Sequence, residues 1–239
     1  LEFRRVLFRS DRHGYQVSAC THAELDITDR AAVDSHIRAN DLVVNCAALT
    51  NVDDAEARPD AAFAINAAGP GNLAGACARV NARLIHISTD YVFSGDAGRP
   101  YEISDATDPL SVYGRSKLDG ESAVLAALPG AHIVRTSWVY TGGGGTDFVA
   151  VMRRLAGTDA QVDVVDDQIG SPTYAVDLVR ALLEIAAGSG QHAAHCAAAS
   201  PACRCCPPLP TPRRCPSPST ISPPTTPASA RRSLPSSTK

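Results

Sequence analysis

Between Tyr15 and about Gly188, short apolar runs of strand length alternate with longer amphipathic segments, and no other feature of the chain restricts its fold so strongly. "YQVSAC" (15–20), "DLVVNCA" (41–47), "RLIHIS" (83–88) and "AHIVRTSWVY" (131–140) are rich in β-branched residues and read as buried strands. The intervening segments 29–40, 60–80, 113–128 and 147–156 have helical periodicity, with start signals at Asp29 and at Thr146-Asp147. Strands alternating with helices imply βαβ crossovers, and therefore an α/β fold of the Rossmann-like, doubly wound, parallel kind. Ligands in such folds sit beyond the carboxyl ends of the strands. Functional residues are therefore sought in the words that follow them: "NCAALTNVD", "STDYVFSG" and "TSWVY".

In "STDYVFSG" three short polar side chains, Ser88, Thr89 and Asp90, stand where a buried strand runs out. A β-turn accounts for them through local hydrogen bonding, and a binding site accounts for them equally well. On the next long helix "VYGRSK" places Tyr113 and Lys117 four residues apart, so both project from one face. A helix-surface pair is the plain reading of that spacing; a reaction site is the other. Ketone reduction by hydride leaves an alkoxide that needs a proton, and a phenol with its ordinary pKa near ~10 is a sluggish donor. A neighbouring ammonium is expected to lower that pKa.

Thr89, Tyr113 and Lys117 form the hydroxyl, phenol and ammonium set of the short-chain dehydrogenase/reductase superfamily. "LDITD" (25–29), "VVNCAALTNVDDAE" (43–56), "AINAAGPGNLAGAC" (64–77), "ISTDYVFSG" (87–95), "SVYGRSKLDGE" (111–121), "IVRTSWVY" (133–140) and "VVDDQIGSPTYAVDLV" (164–179) together closely resemble the dTDP-4-dehydrorhamnose reductase family over about residues 13 to 196. The resemblance implies NADPH- or NADH-dependent reduction of the 4-keto group of dTDP-4-dehydro-L-rhamnose. It implies that Tyr113 donates the proton, Lys117 assists it and holds the nicotinamide ribose, and Thr89 tunes the phenol. Asp26 and Ile27 would meet the adenine side of the cofactor, with Ala48, Leu49 and Thr50 along its path. Leu49 departs from the His or Tyr of the family, which weakens one contact. Thr89, Asp90, Trp138, Gln168 and Thr173 would contact the dTDP-sugar, although a tryptophan at a strand end also suits a core position. Gly170 and Pro172 shape a turn.

The resemblance also implies a first strand and a GxxGxxG turn whose amides hold the pyrophosphate. The chain contains no such turn and opens instead with "LEFRRVLFRSDRHGY", so residues 1–12 are read as outside the family pattern. After "HCAAAS" a third region, 197–239, has eleven prolines from residue 201 onward and reads as a disordered tail produced by a shift of reading frame; a genuine polyproline segment is the alternative. Residues 1–184 hold 16 Lys+Arg against 25 Asp+Glu, a charge of −9, whereas the remainder holds six basic residues and no acidic one. An acidic body has no nucleic-acid footprint, and no apolar run reaches the ~20 residues of a membrane span. A cytoplasmic protein is expected, with Cys20, Cys46 and Cys77 as reduced core residues and no metal-ligand set. A zinc site is disfavoured for Cys196, Cys203, Cys205, Cys206 and Cys215, which form no CxxC pair. The resemblance leaves room for a homodimer. Two rival functions remain: a dinucleotide-binding regulatory subunit like the β subunit of methionine adenosyltransferase, and a sugar-nucleotide epimerase or dehydratase. Retention of a proton donor speaks against the first, "DQIGSPT" and "TSWVY" against the second.

Overall fold

A computed structural model describes residues 17–142, 147–157 and 170–188, all within one compact unit. Helix α1 (Arg30–His36) leads into strand β1 (Leu42–Asn45), and α2 (Val52–Ala57) follows. A continuous helical stretch then comprises α3 (Pro59–Phe63), a π turn (Ala64–Ala68) and α4 (Gly69–Val80). Beyond it come β2 (Arg83–Thr89), a 3₁₀ turn (Asp90–Val92), α5 (Val112–Ala127), β3 (His132–Thr136), β4 (Val139–Tyr140), α6 (Phe148–Leu155), β5 (Thr173–Tyr174) and α7 (Ala175–Ala186).

Strands β1, β2 and β3 pair in that order, all parallel, with Val44 opposite Ile85 and Ile85 opposite His132. Successive side chains of a strand point to opposite faces, so each strand feeds two cores. Leu84 and Ile133 pack with Val33, Leu73, Cys77 and Val124 from α1, α4 and α5. Ile85 and Val134 pack on the other face with Leu182 and Ala186 from α7. Helices on both faces of a parallel sheet make the expected doubly wound arrangement. A second parallel pair, β4 with β5, continues from the end of β3.

The helix starts follow local chemistry. Asp29 caps α1 by accepting from the amides of Ala31 and Ala32, and Asp147 caps α6 through Ala150. Helix α1 is shorter than the 29–40 segment expected: Ile37 turns extended and Asn40 takes a left-handed φ of 68°. The strand expected at 15–20 is absent from its described part. Residues 17–20 are exposed and in no ladder, because among the described residues β1 is bonded only to β2 and no strand stands between them and it. Strand 131–140 is broken in two, since Trp138 adopts φ 47° and redirects the chain from β3 into β4. Cys77 is buried as expected and Cys46 partly so, but Cys20 is exposed because its segment lies outside the core. No described helix is long and apolar enough to cross a membrane. The expectations for residues 1–12, for the tail and for Cys196 to Cys215 lie outside the described residues.

Candidate active site

The parallel strands bring the ends of β1, β2 and β3 to one side of the sheet, and the polar residues cluster there. Thr89 ends β2 and accepts a hydrogen bond from the amide of Tyr91, which starts the 3₁₀ turn. The "STD" word is thus a turn by local chemistry and also a platform. Thr89 Oγ1 donates to Asp90 Oδ1 at 3.1 Å, and burial pushes the Asp90 carboxyl up.

Helix α5 places Tyr113 in its first turn, and three contacts set where that turn begins. Ser111 caps it by accepting from Gly114 N–H at 3.0 Å, and Glu56 of α2 accepts from Val112 N–H at 2.7 Å. Asn66, at the centre of the π turn, donates to Ser116 Oγ at 3.0 Å and to Leu49 O at 3.0 Å, while its oxygen accepts from Leu49 N–H at 2.8 Å. This one buried amide fastens the loop after β1 to α5. Gly114 lies directly against Tyr91 O and Gly120 against Asn66 O, so α5 approaches both backbones more closely than a Cβ permits. The ring of Tyr113 meets that of Tyr91 edge-on at 5.5 Å.

Burial pushes the Tyr113 phenol up to about 12, and a hydrogen bond with Thr89 pulls it partly back. This corrects the expectation that Lys117 lowers it. Lys117 is completely buried, gives a hydrogen to Ile87 O at 2.7 Å and lies 3.4 Å from His86 Nε2, so its nitrogen is engaged by β2. Burial pulls Lys117 down to about 8, opposed by Glu121 and Cys46. Glu121 in turn takes Ser88 Oγ–H at 2.5 Å and both Nε–H and Nη2–H of Arg135 at 2.9 and 2.7 Å.

Asp26, Ile27, Ala48, Leu49 and Thr50 line a single cavity of about 1650 Å³ between residues 17–27 and β1 with its following loop. Asp26 is held low by the amide and hydroxyl of Thr28, both on Oδ1, and among the described residues no donor meets its second oxygen. Leu49 also packs with Val52 and Phe63 around Ala55, Ala62, Val112 and Tyr113, a role a polar residue would not fill. Thr89, Tyr113 and Lys117 are not among the described lining residues; Asn45 and Cys46 are, and they reach toward Lys117 from the cavity.

On the other side Trp138 is 40% exposed, meets the half-exposed Phe148 edge-on at 6.0 Å and accepts Thr173 N–H at its carbonyl, 3.2 Å away. A Cβ at Gly170 would fall 2.5 Å from the indole Nε1, so the glycine admits the ring. Thr173 Oγ1 is buried with no hydrogen-bond partner among the described residues. Trp138 and Thr173 are therefore brought together, while Gln168 lies outside the described residues. Sequence reasoning missed Asn45, Asn66, His86, Ser116, Glu121 and Arg135. The signal for most was available: polar side chains inside apolar runs at strand or helix spacing.

The chain matches the family model described as the RmlD substrate binding domain over residues 4–201. It is 62% identical over 179 residues to a dTDP-4-dehydrorhamnose reductase of Mycobacterium tuberculosis, covering 73% of this chain and 59% of that one. Among solved structures it superposes on a dTDP-4-dehydrorhamnose reductase of Clostridium acetobutylicum with TM-score 0.72 at 40% identity, over 79% of this chain and 66% of the other. The reductase of Bacillus anthracis, solved in complex with NADP, gives TM-score 0.70 at 38% identity over 77% and 64%. The chain thus spans about 59% of the length of the Mycobacterium tuberculosis relative. With strand-end Thr89, buried Tyr113 and Lys117 and the exposed Trp138 in the order of the matched sequence, the chain belongs to the RmlD substrate-binding-domain family.

Proposed function

We infer that the protein is a reductase of a dTDP-4-keto sugar, converting dTDP-4-dehydro-L-rhamnose to dTDP-L-rhamnose with NADPH or NADH as reductant. The observation that carries this reading is strand-end Thr89 together with the buried Tyr113 and, one turn along the same helix, a completely buried Lys117. The relatives named dTDP-4-dehydrorhamnose reductase, one of them bound to NADP, support the substrate and the reductant.

The residues present fit a dinucleotide in part. Asp26 offers a free carboxylate oxygen, and Ile27 with Ala48 to Thr50 offers an apolar wall, which suits a nucleoside; no described loop presents a run of amides suited to the pyrophosphate. The nicotinamide cofactor supplies the hydride. Tyr113 is neutral at any ordinary pH and so holds the proton that the new alkoxide oxygen at C4 must receive. Thr89 keeps that phenol oriented, and its one hydroxyl hydrogen, given to Asp90 Oδ1 here, would turn to the same oxygen as charge grows on it. Lys117 would hold the ribose. Asp90, Trp138, Thr173 and Gln168 would grip the sugar nucleotide, with the exposed indole as a stacking face. The cytoplasm is the location proposed with this function, and no described helix long and apolar enough to cross a membrane speaks against it.

The test is Tyr113→Phe in the chain extended at its N-terminus by a strand and a GxxGxxG turn. With dTDP-4-dehydro-L-rhamnose and NADPH, dTDP-L-rhamnose is expected, and the variant should lose on the order of 10²-fold or more in kcat. Unchanged turnover in the variant would overturn the assignment. So would an epimerised or dehydrated product formed without NADPH oxidation.

A further inference from the structure

Behind the reaction site a line of buried polar groups runs from the cavity to Lys117, and its hydrogen positions follow from geometry. Asn45 lines the cavity, and its Oδ1 accepts the Ala47 amide at 3.0 Å, which leaves the NH₂ end of its side chain facing His86 Nδ1 at 2.9 Å. An amide NH₂ can only donate, so Nδ1 must be the bare nitrogen of the ring. His86 is completely buried, and burial drives its pKa well below the ordinary value, so the ring is neutral and its one hydrogen sits on Nε2. That N–H faces Lys117 Nζ across 3.4 Å.

An ammonium has no lone pair to accept this hydrogen; an amine has one. We propose that His86, held by Asn45 in its Nε2–H tautomer, is a positioning residue that biases Lys117 toward the neutral amine and so sets the pH at which the lysine changes charge. The inference rests on the reductase reading for its significance, because Lys117 is the group beside the proton donor. The direction agrees with the low pKa that burial already imposes on Lys117. Other groups around this nitrogen act as follows. Glu121, four residues along α5, favours the ammonium, but Arg135 of β3 and Ser88 of β2 occupy its oxygens. Cys46, after β1, is itself pushed up to about 11 and stays a neutral thiol near pH 7. Tyr113, one turn back, is likewise neutral. Among the described residues only His86 presents a fixed hydrogen to the lysine nitrogen.

Lys117 and Lys239 are the only lysines in the sequence, which makes the test direct. The full chain carrying Lys239→Arg, labelled with ¹³C and ¹⁵N at lysine and ¹⁵N at histidine, has a single lysine side-chain signal. The histidine signal missing from His86→Phe identifies His86. Expected are a His86 ring that stays neutral from pH 5 to 9 with a protonated Nε2 and bare Nδ1, and a Lys117 signal titrating near 8. In His86→Phe, which keeps the apolar ring but removes the N–H, the Lys117 midpoint should rise by about one pH unit, the scale of one lost hydrogen bond to the amine. A proton on Nδ1, or a midpoint in His86→Phe that stays or falls, overturns the inference. If His86→Phe does not fold, His86→Gln supplies the assignment and the tautomer in the unsubstituted ring still decides. Neither measurement needs cofactor or substrate. A correct tautomer with no reductase turnover therefore sinks the functional reading alone, and an Nδ1–H ring with normal turnover sinks this inference alone.

Discussion

Lys117 is the residue whose environment conflicts most with its chemistry. A completely buried ammonium costs stability, and its pKa falls from 10.5 to about 8 for that reason. The folded chain then releases this proton before the unfolded chain does, so the unfolded state binds more protons between pH 8 and 10.5 and stability rises with pH through that window. Below about pH 8 the full penalty is present, on the order of 3 kcal/mol by linkage. Lys117→Met removes it but strands Ile87 O, which costs about 1 kcal/mol. The variant is therefore expected to melt several degrees higher than the unsubstituted chain at pH 7 and to lose catalysis. The difference should shrink as pH climbs past 8. Thermal melts from pH 6 to 10 check this; a variant that melts lower at pH 7 would show that the lysine stabilises the fold. The raised thiol of Cys77 is common to both proteins and cancels in the comparison, whereas the Cys46 thiol loses the lysine's lowering influence and moves further up in the variant, which leaves it neutral at pH 7.

Helix α5 is positioned by what it lacks as much as by what it bears. Gly114 and Gly120 meet Tyr91 O and Asn66 O, so the helix axis lies closer to the 3₁₀ turn and to the π turn than an alanine would permit. The π turn is the reason Asn66 faces α5 at all, since the extra residue rotates its amide into the gap between Leu49 and Ser116. Gly120→Ala gains in helix propensity by about 1 kcal/mol. The Cβ against the Asn66 backbone outweighs this, because neither helix can yield without disturbing the buried amide; a net loss of about 1–3 kcal/mol is expected in urea unfolding. Gly114→Ala should instead displace the first turn, and with it Tyr113, and so reduce kcat more than stability. Capping is more forgiving. Asp29→Ala frees the amides of Ala31 and Ala32 at an exposed helix start and should cost about 1 kcal/mol in the same experiment.

Across the whole molecule, the wide cavity beside β1 and the reaction site at the end of β2 belong to one side of a parallel sheet, joined by the Asn45 to His86 to Lys117 line. The cavity offers a nucleoside a carboxylate and an apolar wall, but the sequence contains no GxxGxxG turn. NADPH and NADH are accordingly expected to bind this chain far more weakly than the low micromolar constants, near −8 kcal/mol, of tight sites. Calorimetric titration measures it. A low micromolar dissociation constant would mean that some other run of amides cradles the pyrophosphate.

The periodicity of the sequence was enough to place the β1, β2 and β3 runs, the helical segments 29–40, 60–80, 113–128 and 147–156 and the parallel order, though not α2 or α7, because burial of both strand faces leaves a continuous apolar signature. It also placed Thr89, Tyr113 and Lys117 on one side of the sheet, since i and i+4 spacing and strand ends are local rules. It erred where structure depends on a neighbour. "YQVSAC" has strand composition, yet a strand exists only when another backbone accepts its hydrogen bonds, and none is described beside it. The split at Trp138 turns on one left-handed φ that composition does not encode. The direction of the Tyr113 shift was decided by packing: sequence put an ammonium next to a phenol, and only the folded interior determined that burial outweighs that charge and that Lys117 answers to His86 and Ile87. Desolvation and hydrogen-bond geometry are properties of the space around a residue, and that space is assembled from segments up to 72 positions apart, as Asn45 and Lys117 are.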